Sequence, residues 1–308
     1  MDESTDRLKE TPTVPRRPVP VAFRRRLGSR APHALDALAR VQDDLIYDIG
    51  MHRGEDTEYY LKKGFRVVAI EANRELSDEV AARFPAEIGD GRLTIVNAAI
   101  AEKAGTVTFY RNEKLSSWST TDPAWAQRNA AHGAPSSEIT VEATTMPDII
   151  RRFGVPYYAK IDIEGADLLA LRGFDAVRSR PRFVSIEASK TGFAALEREF
   201  EALQRLGFTR FKIVAQHKVH RQRLAGHHFK GGSSGAFGPD LTGRWLTAGQ
   251  ALRLYRLIVL RHRLLGDNPV IRNKWIRCIL RLLIGKPGWY DTHAMRGRDT
   301  DRSMAAGA

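Results

Sequence analysis

Two carboxylates stand 23 residues apart, each at the end of an apolar run, and a glycine-bearing turn follows the first. Residues 45–49 form the first run, with Asp48 near its end and Gly50 and Gly54 just beyond. A helix-compatible stretch, 57–63, leads to a second run, 66–70, which ends at Glu71. Glycines permit a tight turn and leave room for a ligand against the backbone. An acid closing the second strand of such a unit can accept both hydroxyls of a ribose. The spacing therefore calls for a ligand whose adenosine-type ribose lies across the sheet edge. A plain strand–turn–helix without a ligand is the alternative, and two acids at strand ends argue against it.

Two cofactors fit that outline. A dinucleotide requires Gly-x-Gly-x-x-Gly, because its pyrophosphate needs backbone amides at the helix N-terminus. Here the turn reads Gly50-Met51-His52-Arg53-Gly54, with Asp48 before it and Glu55 and Asp56 after it. Three carboxylates repel a pyrophosphate. S-adenosyl-L-methionine has no phosphate and carries a sulfonium and an ammonium, for which nearby carboxylates are favourable. The residues favour S-adenosyl-L-methionine over a dinucleotide.

Five stretches, "DIGMHRGEDT", "AIEAN", "IVNAAI", "AKIDIEGADLLALRG" and "FVSIEAS", resemble the FkbM-type methyltransferases. The resemblance covers about residues 44–215, and the run from Lys160 to Asp167 is its most specific part. It implies a class I methyltransferase Rossmann-like fold and transfer of a methyl group from S-adenosyl-L-methionine to a hydroxyl of a sugar, glycan or polyketide-like product. By that resemblance Asp48, Gly50 and Gly54 contact the methionine end of the cofactor and Glu71 the ribose. Asn73 lies close to the adenosine, and Asn97 and Ala98 stand where such enzymes contact adenine. Asn97 reads equally well as a turn residue. Members commonly carry Asn two residues after the first glycine. Here that residue is His52, which leaves the cofactor class intact and the role of the position open.

Asp162 and Glu164 end the next apolar run and face the transferred methyl in this fold. Methyl transfer to an alcohol is a direct displacement needing an aligned hydroxyl and a base for its proton. Either carboxylate could be that base, orient the cofactor's amino group, or hold a divalent metal with Glu187. For Glu164 the alternative is a helix cap near Gly165, favoured by the helix dipole. His217, His220, His227 and His228 cluster later in the chain, and an imidazole is a good base near neutral pH. Without a fixed helical pair they read as surface histidines rather than metal ligands, so no metal site is assigned; His217, nearest a strand end, is the candidate base. Ser116-Ser117-Trp118-Ser119-Thr120 could form a lid with Trp118 stacking on a sugar face, and Gly231-Gly232-Ser233-Ser234-Gly235 a second, mobile one. Plain surface loops are the alternative for both.

Alternating strand-like and helix-like segments position these residues. Strands are expected at 45–49, 66–70, 93–96, 157–163, 183–187 and 208–215, with 106–110 antiparallel and 139–143 as an edge strand. Helices are expected at 34–41, 57–63, 77–84 with Ser77 as cap, 146–153, 166–171 and 193–206. That order implies an α/β doubly wound sheet, seven-stranded and mostly parallel by resemblance, with ligands at the carboxyl ends of the strands. Residues 1–30 read as a basic tail and 31–245 as the Rossmann-like domain. Residues 246–308 read as a basic helical C-terminal extension, with helices at 247–265 and 269–284 and fraying after about 295.

The chain has 308 residues and a net charge of +13, and the excess lies at its two ends. Between Ala251 and Pro287 there are nine Lys or Arg residues against one acid, Asp267. Such helices usually bury an apolar face and solvate their charges. Peripheral contact with an anionic membrane, or with a phosphorylated substrate, are the other two readings. No run is apolar enough to span a membrane. The N-terminus has no apolar core of the secretory kind. The single cysteine, Cys278, excludes a disulfide framework and a Cys-based zinc site. Together these point to the cytoplasm. The favoured function is O-methylation of a sugar-containing or natural-product acceptor. An RNA methyltransferase and a non-catalytic membrane- or partner-binding module are the rivals. Against nucleic acid, the sequence after the fourth strand is Asp162-Ile163-Glu164 rather than Asn/Asp-Pro-Pro-aromatic.

Overall fold

The computed structural model describes residues 40–189, 192–224, 226–266, 269–285 and 287–297. The tail expected at 1–30 and nearly all of the helix expected at 34–41 lie outside the described residues. Val41 itself opens a strand.

The chain begins with β1 (Val41–Ile49), α1 (Glu55–Lys62), β2 (Arg66–Ile70), α2 (Arg74–Arg83), α3 (Pro85–Gly89) and β3 (Leu93–Val96). An excursion follows through β4 (Ala99–Ile100), β5 (Gly105–Asn112), α4 (Pro123–Ala131) and β6 (Ser136–Thr144). The chain then runs through α5 (Met146–Phe153), β7 (Val155–Ile161), α6 (Asp167–Arg172), β8 (Phe183–Glu187), α7 (Phe193–Arg205) and β9 (Phe208–Ala215). It ends with the small hairpin β10 (Arg223–Leu224) and β11 (His227–His228), then α8 (Ala248–Leu265), α9 (Lys274–Ile284) and β12 (Tyr290–Arg296).

The main sheet has seven strands in the order β3-β2-β1-β7-β8-β12-β9. All pairs are parallel except those of β12, which runs antiparallel to β8 and β9. The chain winds outward from β1 to β3, then restarts at β7 on β1's other side. The crevice between the carboxyl ends of β1 and β7 is therefore the switch point. Residues 139–143 are not on an edge of this sheet: β6 is the middle strand of a separate sheet, β4-β6-β5.

The strands of the sheet's centre are apolar runs because helices cover both faces. Leu45, Tyr47 and Ile49 of β1 pack with α5, α6 and α7 residues on one face, while Ile46 joins Tyr59, Tyr60 and Val67 on the other. Period-two alternation places Asp48 on the second face, under α1. Helix α2 starts earlier than Ser77, because Asn73 caps it by accepting from the Glu75 amide. Thr247 and Gln250 form a reciprocal capping box on α8.

The C-terminal segment departs from a helical extension. Helices α8 and α9 form where expected, but Tyr290–Arg296 inserts between β8 and β9, which have no pairing with each other. Met295 and Arg296 belong to this strand, and residues 298–308 lie outside the described ones. A sheet ending at residue 245 would leave two strands with unpaired amides and carbonyls where β12 now pairs. A chain stopped after Ile284 is expected to lose its cooperative thermal transition by circular dichroism. A truncated chain that melts at the full-length temperature would refute that role for β12.

Candidate active site

The first turn is built on close backbone approach. Gly50 has φ of +81°, and a Cβ there would lie 1.8 Å from the Asp162 carbonyl oxygen, so no other residue fits. The amides of Gly50 and Met51 both donate to the Ile70 carbonyl, at 2.9 and 3.1 Å, and the Asp162 amide donates to Ile49 at 2.9 Å. The ends of β1, β2 and β7 thus meet at one turn. Glu71 fastens it: the His52 amide donates to Oε2 at 2.9 Å and the Asn73 amide to Oε1 at 2.8 Å. Each carboxylate oxygen keeps a further lone pair, so Glu71 can still accept ribose hydroxyls. Burial raises its pKa despite those amides.

Beneath the turn lies a buried charge cluster. Lys160, on β7, is 4 % exposed, and Asp48 is fully buried. The Lys160 ammonium stands 3.4 Å from Asp48, 3.7 Å from Asp56 and 3.6 Å from Asp162, and donates to the Gly50 carbonyl at 2.8 Å. Burial alone would lower its pKa; Asp48, Asp162 and Asp56 outweigh that and raise it well above the ordinary value. The Thr57 hydroxyl donates to Asp48 Oδ2 at 2.6 Å, while Oδ1 faces the Lys160 ammonium. Asp56 accepts the Ser234 amide at 3.0 and 2.9 Å, which holds the glycine-rich loop against α1. That loop, read from sequence as a mobile lid, is a tethered wall with Ser233 and Ser234 buried.

Above the turn opens a cavity of about 970 Å³. Five carboxylates line it: Glu71, Asp162, Glu164, Glu187 and Asp291. Burial pushes Asp291 well above the usual carboxylate range, with Asp162 and Glu187 adding to the effect. The segment 116–121 closes one side. Ser116 Oγ lies 2.8 Å from His52 Nε2, the Thr120 hydroxyl donates to the Glu164 carbonyl, and Trp125 packs on Gly165 so tightly that a Cβ would fall 2.6 Å from its ring. His52 and Glu164 are the non-glycine residues with positive φ among the described residues, at +53° and +40°. Both line the cavity, where such backbone strain is usually kept for function.

The structure brings Gly50, Glu71, Ala98, Asp162 and Glu164 to this wall. It leaves other expected residues off it. Asp48 lies underneath and acts through charge. Gly54, at φ of +70°, caps α1 beside Val80. Asn73 caps α2, and Asn97 clamps the Glu71 and Ala72 carbonyls at 2.9 and 3.2 Å, the turn role read as its alternative. His217 packs against Trp289 and Tyr290, and Gln216 takes the wall position instead. Asp167 accepts the amides of Ile163 and Gly165 ahead of α6. Sequence reasoning passed over Lys160, although a lysine inside an apolar strand signals a buried, paired charge. It also passed over Asp291, whose short polar-rich strand gives no such signal. Among the described residues no group of three or more His, Cys, Asp or Glu could hold a metal ion. The acid-lined wall and the open acceptor sites on Glu71 fit a cationic nucleoside such as S-adenosyl-L-methionine.

Lys160→Met strips two buried carboxylates of their counter-charge and is expected to cost about 3–5 kcal/mol in urea unfolding; a loss under about 1 kcal/mol would contradict the cluster's role. A second expectation concerns pH. Burial, with Asp48 adding and Lys160 opposing, pushes Asp56 from 3.8 up to about 7. The folded chain then holds this proton more tightly than the unfolded one. The contribution of Asp56 to stability therefore falls as pH rises from about 4 to about 7. Asp56→Asn should flatten that part of the stability–pH curve; an unchanged slope would show that Asp56 does not titrate there.

A family model described as "Methyltransferase FkbM domain" matches residues 48–223. A probable ribosomal RNA small subunit methyltransferase A of Methanospirillum hungatei is 35% identical over 71 residues, 23% of this chain and 26% of that protein. The chain thus spans about a quarter of the length of that curated relative. Among solved structures it is similar to a precorrin-6y C5,15-methyltransferase from Geobacter metallireducens, at 12% identity over 86% of each chain and a TM-score of 0.35. It is also similar to a SAM-dependent methyltransferase from Archaeoglobus fulgidus, at 11% identity, 82% of this chain, 86% of that one and a TM-score of 0.36. The family match runs from Asp48 past Lys160 and Asp162 to Arg223 and takes in more than half of the 308 residues. The chain belongs to the FkbM family of S-adenosylmethionine-dependent methyltransferases.

Proposed function

We propose that the protein is an O-methyltransferase that acts on a hydroxyl of a sugar, glycan or related natural product. One observation carries this reading: Asp162, Glu187 and Asp291, from the ends of three adjacent strands, converge on one cavity whose lining includes Trp118 and Trp289. Carboxylates accept hydrogen bonds from hydroxyls, and indole faces stack on sugar rings. At about 970 Å³ the cavity sits at the top of the usual range for ligand pockets, ~300–1,000 Å³, which leaves room for cofactor and acceptor together.

In this reading Glu71 holds the ribose, Ala98 and Leu76 border the base, and the Gly50 turn admits the methionine end. Bound there, the cofactor supplies an electrophilic methyl group on a sulfonium. The chain's own task is to orient the acceptor hydroxyl and take its proton. Asp162, which is partly exposed, is suited to orient it. Asp291, buried and with its carboxyl pKa raised well above the usual range, is suited to receive the proton. An RNA acceptor fits less well, because five carboxylates face one guanidinium, Arg128, on the wall and oppose phosphate.

Calorimetry should show S-adenosyl-L-methionine binding, and mass spectrometry should show a methyl added to a member of a glycoside panel. Methylation of RNA with no glycoside accepted would end this reading. Asp291→Asn should leave cofactor affinity intact and lower kcat by about a hundredfold or more. The wild-type rate should rise with pH through the raised pKa of this carboxyl, since only its ionised form accepts a proton. Wild-type turnover in Asp291→Asn would exclude Asp291 as the acceptor.

A further inference from the structure

Helix α9 presents its apolar side to solvent. Trp275 is 81 % exposed, Leu282 83 %, Leu283 74 % and Ile279 57 %, and the helix has no buried residue. At 3.6 residues per turn these four, with Ile276, share one arc. Lys274, Arg277 and Arg281 share the opposite arc, and Arg281 donates to the Leu265 carbonyl at the end of α8 at 3.0 Å. Helix α8 adds exposed Leu257, together with Arg253, Arg256 and Arg263. A soluble surface seldom leaves so many large apolar side chains side by side.

We propose that α8 and α9 form a docking surface for an anionic lipid bilayer, with α9 lying in the plane of the interface. Two observations select this occupant. The stretch of sequence that carries the apolar arc is basic, nine Lys or Arg against one acid between Ala251 and Pro287, which complements acidic headgroups. A second copy of the chain would set that basic belt against itself. Among the described residues no helix is long and apolar enough to cross a membrane, so the contact is peripheral. The chain that follows α9 also reaches the cavity: Pro287, Gly288 and the half-exposed Trp289 line it.

The test is sedimentation of the full chain with vesicles, read independently of methyl transfer. Mixed phosphatidylglycerol–phosphatidylcholine vesicles should carry the protein down, and pure phosphatidylcholine should bind it at least ~10-fold more weakly. Leu282→Glu with Leu283→Glu should cut binding to the mixed vesicles ~10-fold or more, as should Arg253→Glu with Lys274→Glu, with S-adenosyl-L-methionine affinity unchanged in both. Wild-type protein that stays in the supernatant would overturn the proposal. So would equal binding to both vesicle types, or a dimer in solution that the Leu282/Leu283 variant converts to monomer.

Discussion

The arrangement depends on one buried ammonium. Lys160 reaches across the switch point from β7 and meets Asp48 of β1, Asp56 of α1 and Asp162 past its own strand, while also bonding the Gly50 carbonyl. Burial disfavours the charged forms of Lys160, Asp48 and Asp56, and their mutual attraction offsets that cost. Together they fix how β1, α1 and β7 meet, and so the shape of the turn that the ligand must approach. Acids outnumber cations at the cavity, since one ammonium stands among three carboxyl groups below it and five acids line the wall. That excess suits a cationic cofactor and works against a pyrophosphate.

The turn and the wall share their supports. Glu71 holds the His52 and Asn73 amides, Asn97 holds the carbonyls that follow β2, and Asp56 holds the glycine-rich loop. Polar groups that look like ligand contacts in isolation thus position backbone. Among them Glu71, which lines the cavity, retains acceptor capacity toward it.

The last strand completes both sheet and site. β12 sets Asp291 directly opposite Glu187 of β8, and the pairing deepens the acid cluster that begins with Asp162. The family match ends at Arg223, so this strand and the helices before it lie beyond that match. The same segment that brings a carboxylate to the cavity also carries the exposed apolar helix.

The sequence by itself determined what depends on local pattern. β2, β3, β8, β9 and α5 form over the residues that their apolar runs and caps predict, and the glycine turn with acids at both strand ends named the ligand class. Those signals are legible because burial of a strand and the torsion of a turn constrain the residues that make them. Tertiary structure decided everything that depends on which strands become neighbours. It made Lys160 a counter-ion, turned Asn73 and Asn97 into backbone clamps, moved His217 off the cavity wall, and drew Tyr290–Arg296 from an expected appendage into the sheet. A seven-residue segment with Asp, Thr and His facing inward carries no apolar signature. Its place is set by the unpaired edge of β8 and by β9, which joins the sheet only through this strand.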